Sequence, residues 1–445
     1  MTRLILAFAL LLAAPAAHAQ SLTLTNLKPP VAKLCPGVAR VTTVAAFWAQ
    51  LAACAAPAPA PAPPPSAPAF PQAPAPDLAL PFALAKGLQP SWGTGAIPGL
   101  YTPDRSEGAF RFTCGGDGPI NYDDPVVYPG RPGAAHGHLA WGNFDFTAFT
   151  TPASLAASAK TNCNASPFSL NRSLYWMPWL ENDQGQVIRP DLVSVYYKRG
   201  AKGGKYCEPG SPAFIGVCTG LPNRIKFIFG WDMTRPTARV EGASWYCTGG
   251  TGRHYPDLDA VFASGCKPGD TLVADTVAPN CWDGKALDSA DHRSHMAYAG
   301  YARGDGMLHC PASHPFVIPQ EENKAMWTVT ADMIAADGRS RVRLASDHML
   351  PGAKPGQTLH ADYVEAWDAR AKAVWEANCI DRGLDCSGGD MGDGTQLPGA
   401  NAPSYGWVHP EPRVKMPGRT GAAGAPEVNS SERGIAISGQ LVARP

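Results

Sequence analysis

The sequence carries little charge for its length. Only 17% of its 445 residues are charged, and 37 basic side chains balance 37 acidic ones. A protein that binds nucleic acid would have a basic surplus, as would one that binds an anionic membrane surface. Neither partner is expected here. Beyond the first 19 residues, no apolar run approaches the roughly 18 residues that a membrane span needs. We therefore expect no membrane span in the mature chain.

The sequence also lacks the common catalytic motifs. It contains no GxSxG elbow, no HExxH pair, no Walker loop and no complete GxGxxG. These absences exclude the α/β-hydrolase, zincin, P-loop and dinucleotide-binding signatures. There is no CxxC pair either, so a zinc ribbon is not expected.

Composition divides the chain into five parts. Residues 1–19 have the form of a signal peptide, with Arg3 before an apolar run and Ala17-His18-Ala19 as the cleavage site. Residues 57–76 contain ten prolines interleaved with alanine, which favours an extended spacer of roughly 60 Å. We therefore predict the following parts: signal peptide 1–19, a small Cys-containing segment 20–56, a Pro/Ala-rich linker 57–76, a main domain 77–412 and a Gly/Ala/Pro-rich tail 413–445.

The main domain reads as mainly β. Glycine and proline together account for 91 residues (46 and 45), which indicates many turns. Short β-rich runs lie between Gly, Pro, Asn and Asp clusters, without a βαβ rhythm. We predict an antiparallel sandwich or jelly-roll-like fold with long disulfide-tied loops. Strands are expected at 192–198, 224–231, 238–247, 326–332 and 342–345. Helices are expected at 361–377 and near 154–160.

All 12 cysteines follow the signal peptide, and an exported protein meets an oxidising compartment. Sequence does not fix their connectivity, and we take the shortest loops as the prediction. The predicted pairs are Cys35–Cys54, Cys207–Cys218, Cys247–Cys266, Cys281–Cys310 and Cys379–Cys386, which leaves Cys114 with Cys163.

Histidines and acidic residues are concentrated in a few segments. His136 and His138 form an HxH pair, whose rings point to one face if the segment is extended. In DHRSH (291–295), two histidines lie beside an aspartate that can orient an imidazole. The predicted Cys281–Cys310 bridge would bring this segment close to the SHP segment at 313–315. We therefore predict one shared cleft. Its candidate catalytic residues are His136, His138, Asp283, Asp291, His292, His295 and His314.

Other side chains accompany these groups. Asn143, Trp282, Arg293 and Ser313 are the candidates for substrate binding. Aromatic rings beside polar loops suit the faces of sugars, and Trp282 is the tryptophan that we most readily place at a cleft. The alternative is that most of the tryptophans belong to the core and that the histidines only tie loops together.

Several of these segments resemble a secreted family known only as a domain of unknown function, DUF1996. The similar segments are 124–143, 244–261, 280–298, 310–320 and 360–379, and they include the DHRSH and CPASHP blocks. The resemblance implies an extracellular location, and in fungi such domains are often joined to WSC modules associated with cell-wall sugars. The family's motif residues correspond to His136, His138, Asn143, Asp283, Asp291, His292, His295, Ser313, His314 and Asp362.

The resemblance brings no mechanism, so three functions stay open. The first is a carbohydrate-active hydrolase or lyase, for which Asp283 and Asp291 could supply the carboxylate pair of a glycosidase. The second is a metal-dependent hydrolase of phosphate or ester bonds with His136, His138 and His295 as ligands to a divalent metal. The third is a non-catalytic module that binds cell-wall polysaccharide or mediates adhesion.

Overall fold

The structure is a computed structural model of the full chain. It describes residues 77–93, 106–164, 166–238, 240–301, 305–401 and 408–418, together with Thr42, Thr43 and Ala46. The predicted signal peptide and linker lie outside these ranges. The chain divides into two compact units, 1–68 and 69–445, and the second contains the fold. Among the described residues, no helix has the length and hydropathy to cross a bilayer.

Twenty-one short strands make up most of the regular structure of the described chain. The strands are β1 (Gln89–Pro90), β2 (Glu107–Gly115), β3 (Ile120–Asn121), β4 (His138–Gly142), β5 (Leu174–Pro178), β6 (Leu180–Asn182), β7 (Gln186–Ile188), β8 (Leu192–Gly200), β9 (Val217–Cys218), β10 (Lys226–Gly230), β11 (Ala243–Cys247), β12 (Thr271–Val277), β13 (Cys281–Trp282), β14 (Met296–Ala297), β15 (Phe316–Val317), β16 (Gln320–Thr328), β17 (Val342–Leu344), β18 (His360–Val364), β19 (Asp385–Cys386), β20 (Thr395–Gln396) and β21 (Arg413–Lys415). Each predicted strand segment overlaps one of them, although the segment 326–332 covers only the end of β16 and runs on into a 3₁₀ turn.

Helices in the described chain are few and short. The α-helices are α1 (Pro152–Ala157), α2 (Leu258–Ala263) and α3 (Ala369–Trp375), and a single π-helical turn (Glu376–Ile380) continues α3. Short 3₁₀ turns lie at Leu84–Gly87, Ser91–Gly93, Ala331–Met333, Ala345–Met349.

Two large sheets organise the domain. The five-stranded sheet has the order β10-β18-β5-β4-β3 and is antiparallel throughout. The six-stranded sheet has the order β11-β12-β16-β8-β2-β19 and is antiparallel except for the edge pair β2–β19. Two four-stranded sheets, β14-β13-β15-β9 and β17-β6-β7-β21, and the pair β1–β20 complete the fold. The predicted mainly antiparallel β architecture is confirmed.

The core lies between the two large sheets. Tyr175 and Tyr363 of the five-stranded sheet meet Tyr197 of the six-stranded sheet, and their hydroxyl groups form a chain with O–O distances of 2.6 and 3.0 Å. Phe110 stacks on Trp375 of α3 with 5.1 Å between ring centroids, so the helix closes one side of this core. Because these aromatic side chains occupy one face of the five-stranded sheet, the other face is left for different groups.

Disulfides tie the loops to this framework. The bridges Cys114–Cys163, Cys207–Cys218, Cys247–Cys266, Cys281–Cys310 and Cys379–Cys386 are all formed, as predicted. The predicted pair Cys35–Cys54 lies outside the described residues. Five bridges are consistent with a protein that folds in an oxidising compartment.

The predicted helix at 361–377 is wrong in its first half. Residues His360–Val364 form β18, a buried inner strand that pairs with β10 and β5. The helix starts only after Asp368, whose carboxylate accepts the backbone N–H of Arg370 and caps the first turn. Sheet pairing on both sides therefore overrides the helical spacing of the apolar residues. The shorter predicted helix is confirmed as α1. At the other end, β21 places residues 413–415 in a sheet, just past the predicted boundary at 412.

Candidate metal centre

The outer face of the five-stranded sheet carries two adjacent rows of side chains. In the first row His138 pairs with Pro178, and His360 pairs with Gly230. The register of β18 on β5, extended by two pairs, places Pro178 opposite His360. Proline and glycine therefore flank the two imidazoles and leave room for their rings.

The second row lies two residues further along the strands, on the same face of the sheet. It contains Ala140, Trp176, Asp362 and Ile228, which are direct cross-strand partners. Because directly paired residues share a face, Asp362 points to the same side of the sheet as the histidines.

A third histidine joins the first row. His136 precedes β4 by two residues, and the backbone N–H of Trp179 donates to the carbonyl oxygen of Gly137, which continues the ladder. His136 therefore faces the same way as His138, with their ring centroids 4.1 Å apart. One nitrogen from each of His136, His138 and His360 lies within 4.8 Å of the others. The HxH pair thus finds its partner in His360.

Backbone hydrogen bonds fix the protonation of two of these imidazoles. The Nδ1 atom of His138 is 2.9 Å from the carbonyl oxygen of Asp123, and that of His360 is 2.8 Å from the carbonyl oxygen of Thr358. A carbonyl only accepts, so Nδ1 carries the proton in both rings and Nε2 has its lone pair available. Burial lowers the pKa of His138 and lowers that of His360 to about 3. Neutral imidazoles with a backbone-bound Nδ1–H are the form that binds a metal ion.

Asp362 adds a carboxyl group whose oxygens have no hydrogen-bond partner. The residue is 1% exposed, and both oxygens are buried. Burial raises the pKa of Asp362 well above its usual range; the nearby carboxylate of Asp124 adds to this, and Arg293 opposes it. Leaving a buried carboxyl group unsatisfied is costly, and such groups are normally paired or coordinate a metal. The two oxygens of Asp362 are therefore available to a cation or to a hydrogen-bond donor.

The arrangement can bind one divalent cation. Three imidazole nitrogens are the protein ligands of many catalytic zinc sites, and they leave a coordination position for water or substrate. Asp362 lies in the adjacent row on the same face of the sheet. Ionised by the charge of a bound cation, its carboxyl group could accept a proton from a bound water molecule. A second group of potential ligands in the described chain consists of Cys247, Cys266 and Asp270. Those two cysteines form a disulfide, so that group offers no thiolate pair.

In the DHRSH segment, the side chain of Arg293 contacts the five-stranded sheet at the carbonyl oxygens of Gly230 and Trp231. Asp291 is exposed, and one of its carboxylate oxygens accepts the backbone N–H groups of Arg293 (3.1 Å) and Ser294 (2.8 Å). It therefore holds the segment in its turn. His292 adopts φ 55° and its Nδ1 lies 2.7 Å from the carboxylate of Asp288.

The remaining predicted histidines support the same loop region. His295 is 2% exposed; its Nδ1 lies 2.8 Å from the hydroxyl of Ser289, and its ring lies 6.4 Å from that of Phe227, on the core side of β10. The Nε2–H of His314 donates to the carbonyl oxygen of Ser294 at 2.9 Å, and its Nδ1 contacts the hydroxyl of Ser313. The predicted meeting of the DHRSH and SHP segments is therefore present.

Three further predicted residues have roles within the fold. Asp283 accepts the N–H groups of Lys285 and Ala286 and caps a turn. Asn143 is fully buried, and its amide donates to three backbone carbonyls. Trp282 is 1% exposed and its indole N–H donates to the carbonyl oxygen of Ala286. The polar groups of Asn143 and Trp282 are therefore used within the fold, and their role in substrate binding stays a prediction.

The sequence prediction missed His360 as a member of the cluster. The signal was present as His360-Ala361-Asp362, which has the same spacing as the HxH pair. Only a strand puts residues two apart on one face, and we had predicted a helix to begin there.

A scan against protein-family models matches residues 124–367 to the family described as Domain of unknown function (DUF1996). The match covers more than half of the chain, and the protein belongs to this family. All the residues of the candidate metal centre described above lie within the matched range. A search of curated proteins and a search of solved structures found no match.

Proposed function

We propose that this protein binds a divalent metal ion through His136, His138 and His360 and uses it to hydrolyse phosphate or ester bonds. The observation that carries the proposal is the convergence of three imidazole nitrogens beside a buried carboxyl group without partners. A metal ion lowers the pKa of bound water to near 7 and so supplies a nucleophile at neutral pH. The positive charge of the ion would favour the ionised form of Asp362, which would then accept the proton.

The support for a glycosidase is weaker. That reading needs two carboxylates that are free to act on a glycosidic bond. Asp283 and Asp291 each accept backbone N–H groups of their own turns. The carboxylate pair is therefore engaged in holding loops. The disulfides and the signal-like N-terminus favour action outside the cytoplasm, so substrates of the cell surface, including esterified polysaccharide, belong in the assay.

The first experiment measures metal binding. The protein is stripped with a chelator, and Zn²⁺, Co²⁺ and Mn²⁺ are titrated into wild type, His138→Ala and His360→Ala. The control is His254→Ala, whose side chain is 52% exposed and hydrogen-bonded to Ser244. We expect one ion per chain, a loss of affinity of more than about 100-fold in both cluster variants, and wild-type binding in the control. Equal binding by wild type and both cluster variants would refute the site.

The second experiment measures turnover. Chromogenic phosphate esters, acyl esters and cell-wall polysaccharides are incubated with metal-loaded and chelated protein. Metal-dependent release of phosphate or acid supports the proposal, and Asp362→Asn should abolish it while metal still binds. Binding of the ion without turnover on any substrate would leave a structural metal site and would favour the wall-binding module. Cleavage that survives chelation would favour the metal-independent carbohydrate enzyme.

A further inference from the structure

The loop that carries Arg293 is held firmly against β10. The backbone N–H of Ile228 donates to the carbonyl oxygen of His292 at 2.9 Å. Asp288 binds the ring of His292 at 2.7 Å and the ammonium group of Lys226 at 3.0 Å. A left-handed conformation such as that of His292, with φ 55°, is unfavourable for an L-residue. The surrounding contacts hold it there, and the next residue is directed onto the outer face of the sheet.

Arg293 consequently lies beside the imidazole cluster. Its Nη2 donates to the carbonyl oxygen of Trp231 at 2.8 Å, and its Nη1 lies 3.4 Å from the carbonyl oxygen of Gly230. Gly230 is the direct cross-strand partner of His360. The two backbone contacts fix the guanidinium group at the edge of the cluster, and three of its five N–H groups are not used by them.

The guanidinium and the carboxyl group of Asp362 are near each other without touching. Each group shifts the pKa of the other through its charge. The oxygens of Asp362 nevertheless have no hydrogen-bond partner, and no ion pair within 4.0 Å joins these two described side chains. A ligand that reaches the imidazole nitrogens could therefore bind the guanidinium group without displacing an ion-pair partner. With a divalent ion bound, the site has two positive centres and the carboxyl groups of Asp362 and Asp124.

We infer that Arg293 binds an anionic oxygen group of the substrate beside the metal ion, so that the substrate carries a phosphate, sulfate or carboxylate. This inference rests on the proposed metal site. The guanidinium group is suited to this task, because its planar fork donates two parallel hydrogen bonds to such a group. Arg293 would position the substrate so that the bond to be hydrolysed meets the metal-bound water. The shared chemistry is that of an oxyanion, and the choice among the three groups is left to the test.

The test is calorimetry of Zn²⁺-loaded protein with inorganic phosphate, sulfate and acetate. The variants are Arg293→Gln and Arg293→Lys, and the control is Arg339→Gln, an arginine that is 74% exposed and paired with Asp337. We expect Arg293→Gln to weaken the preferred anion at least tenfold and Arg293→Lys to weaken it less, because lysine keeps the charge but not the fork. Zn²⁺ affinity should change less than twofold in both. The anion with the largest effect identifies the group.

Unchanged anion affinity in Arg293→Gln, or an equal loss in the control, would overturn the inference. If Arg293→Gln does not fold, as judged by its melting curve, Arg293→Lys decides: wild-type anion affinity in that variant refutes the role. If wild type binds no metal, the proposed function fails by itself. The anion titrations of the metal-free protein then decide about Arg293, since binding that Arg293→Lys weakens supports it, whereas no binding refutes it.

Discussion

The Cys281–Cys310 bridge should stabilise the protein more than the Cys379–Cys386 bridge does. Two double variants test this. One carries Cys281→Ala and Cys310→Ala, and the other carries Cys379→Ala and Cys386→Ala. All four cysteines are nearly or fully buried, with exposures of 0, 7, 0 and 1%. The packing lost on truncation is therefore similar in the two variants, and the difference between them reports mainly on loop closure.

Loop length sets the expected magnitudes. The separations are 29 and 7 residues. By lowering the entropy of the unfolded chain, the longer loop should contribute about 4 kcal/mol to the free energy of unfolding and the shorter loop about 2 kcal/mol. The assay is equilibrium unfolding in guanidinium chloride, with the slope of the transition checked so that only variants that unfold in the same way are compared. An equal or larger loss on removal of the short bridge would refute the reasoning. The longer loop also carries Arg293, so its variant should bind phosphate more weakly than the other.

Three further predictions follow from single side chains. Gly137→Ala would place a Cβ atom 2.1 Å from the Trp179 ring. Thermal melting should therefore show a loss of about 1–3 kcal/mol in the free energy of unfolding, and calorimetry should show weaker metal binding. Wild-type values in both measurements would contradict this. Burial raises the pKa of Glu376 from 4.5 to about 7, so the folded protein holds this proton more strongly than the unfolded chain does. Wild type should therefore lose about 3 kcal/mol of stability as pH rises through this window, whereas Glu376→Gln should not. Parallel pH profiles of the two proteins in urea unfolding would contradict this. His295→Ala should lower the melting temperature through lost contacts with Phe227, and metal-dependent turnover should persist at temperatures where the variant is folded; normal melting with lost activity would instead mark a catalytic residue.

The sequence predicted those parts of the fold that depend on local or covalent constraints. The alternating run at Leu192–Lys198 became β8, because one of its faces packs in the core between the sheets. The disulfides within the described residues followed from loop length, since a short loop costs the least entropy to close. The region of Ala361–Val364 was mispredicted, because its apolar residues fit a helix and a buried strand equally well, and only pairing with β5 and β10 decides.

The candidate site depended on contacts that sequence spacing does not encode. His136 and His138 were found because an HxH pair defines a face by itself. His360 comes from the strand two positions away in the same sheet, and more than 200 residues later in the chain, so its approach follows from strand order. The sequence predicts Arg293 as a binding residue and its neighbours Asp291, His292 and His295 as catalytic residues, because histidine is the more common catalytic side chain. In the structure, Asp291 and His292 form the hydrogen bonds that hold the turn.

The row that holds His138 and His360 has a consequence for how the specificity of this site can change. Its remaining members are Pro178 and Gly230, and both are constrained by the backbone. Gly230 has φ 86°, and a Cβ atom there would lie 2.7 Å from the carbonyl oxygen of Leu359. The backbone therefore excludes a larger residue at Gly230, beside the proposed metal site. If the proposal holds, the size of the substrate would be set by the surrounding loops and not by this row.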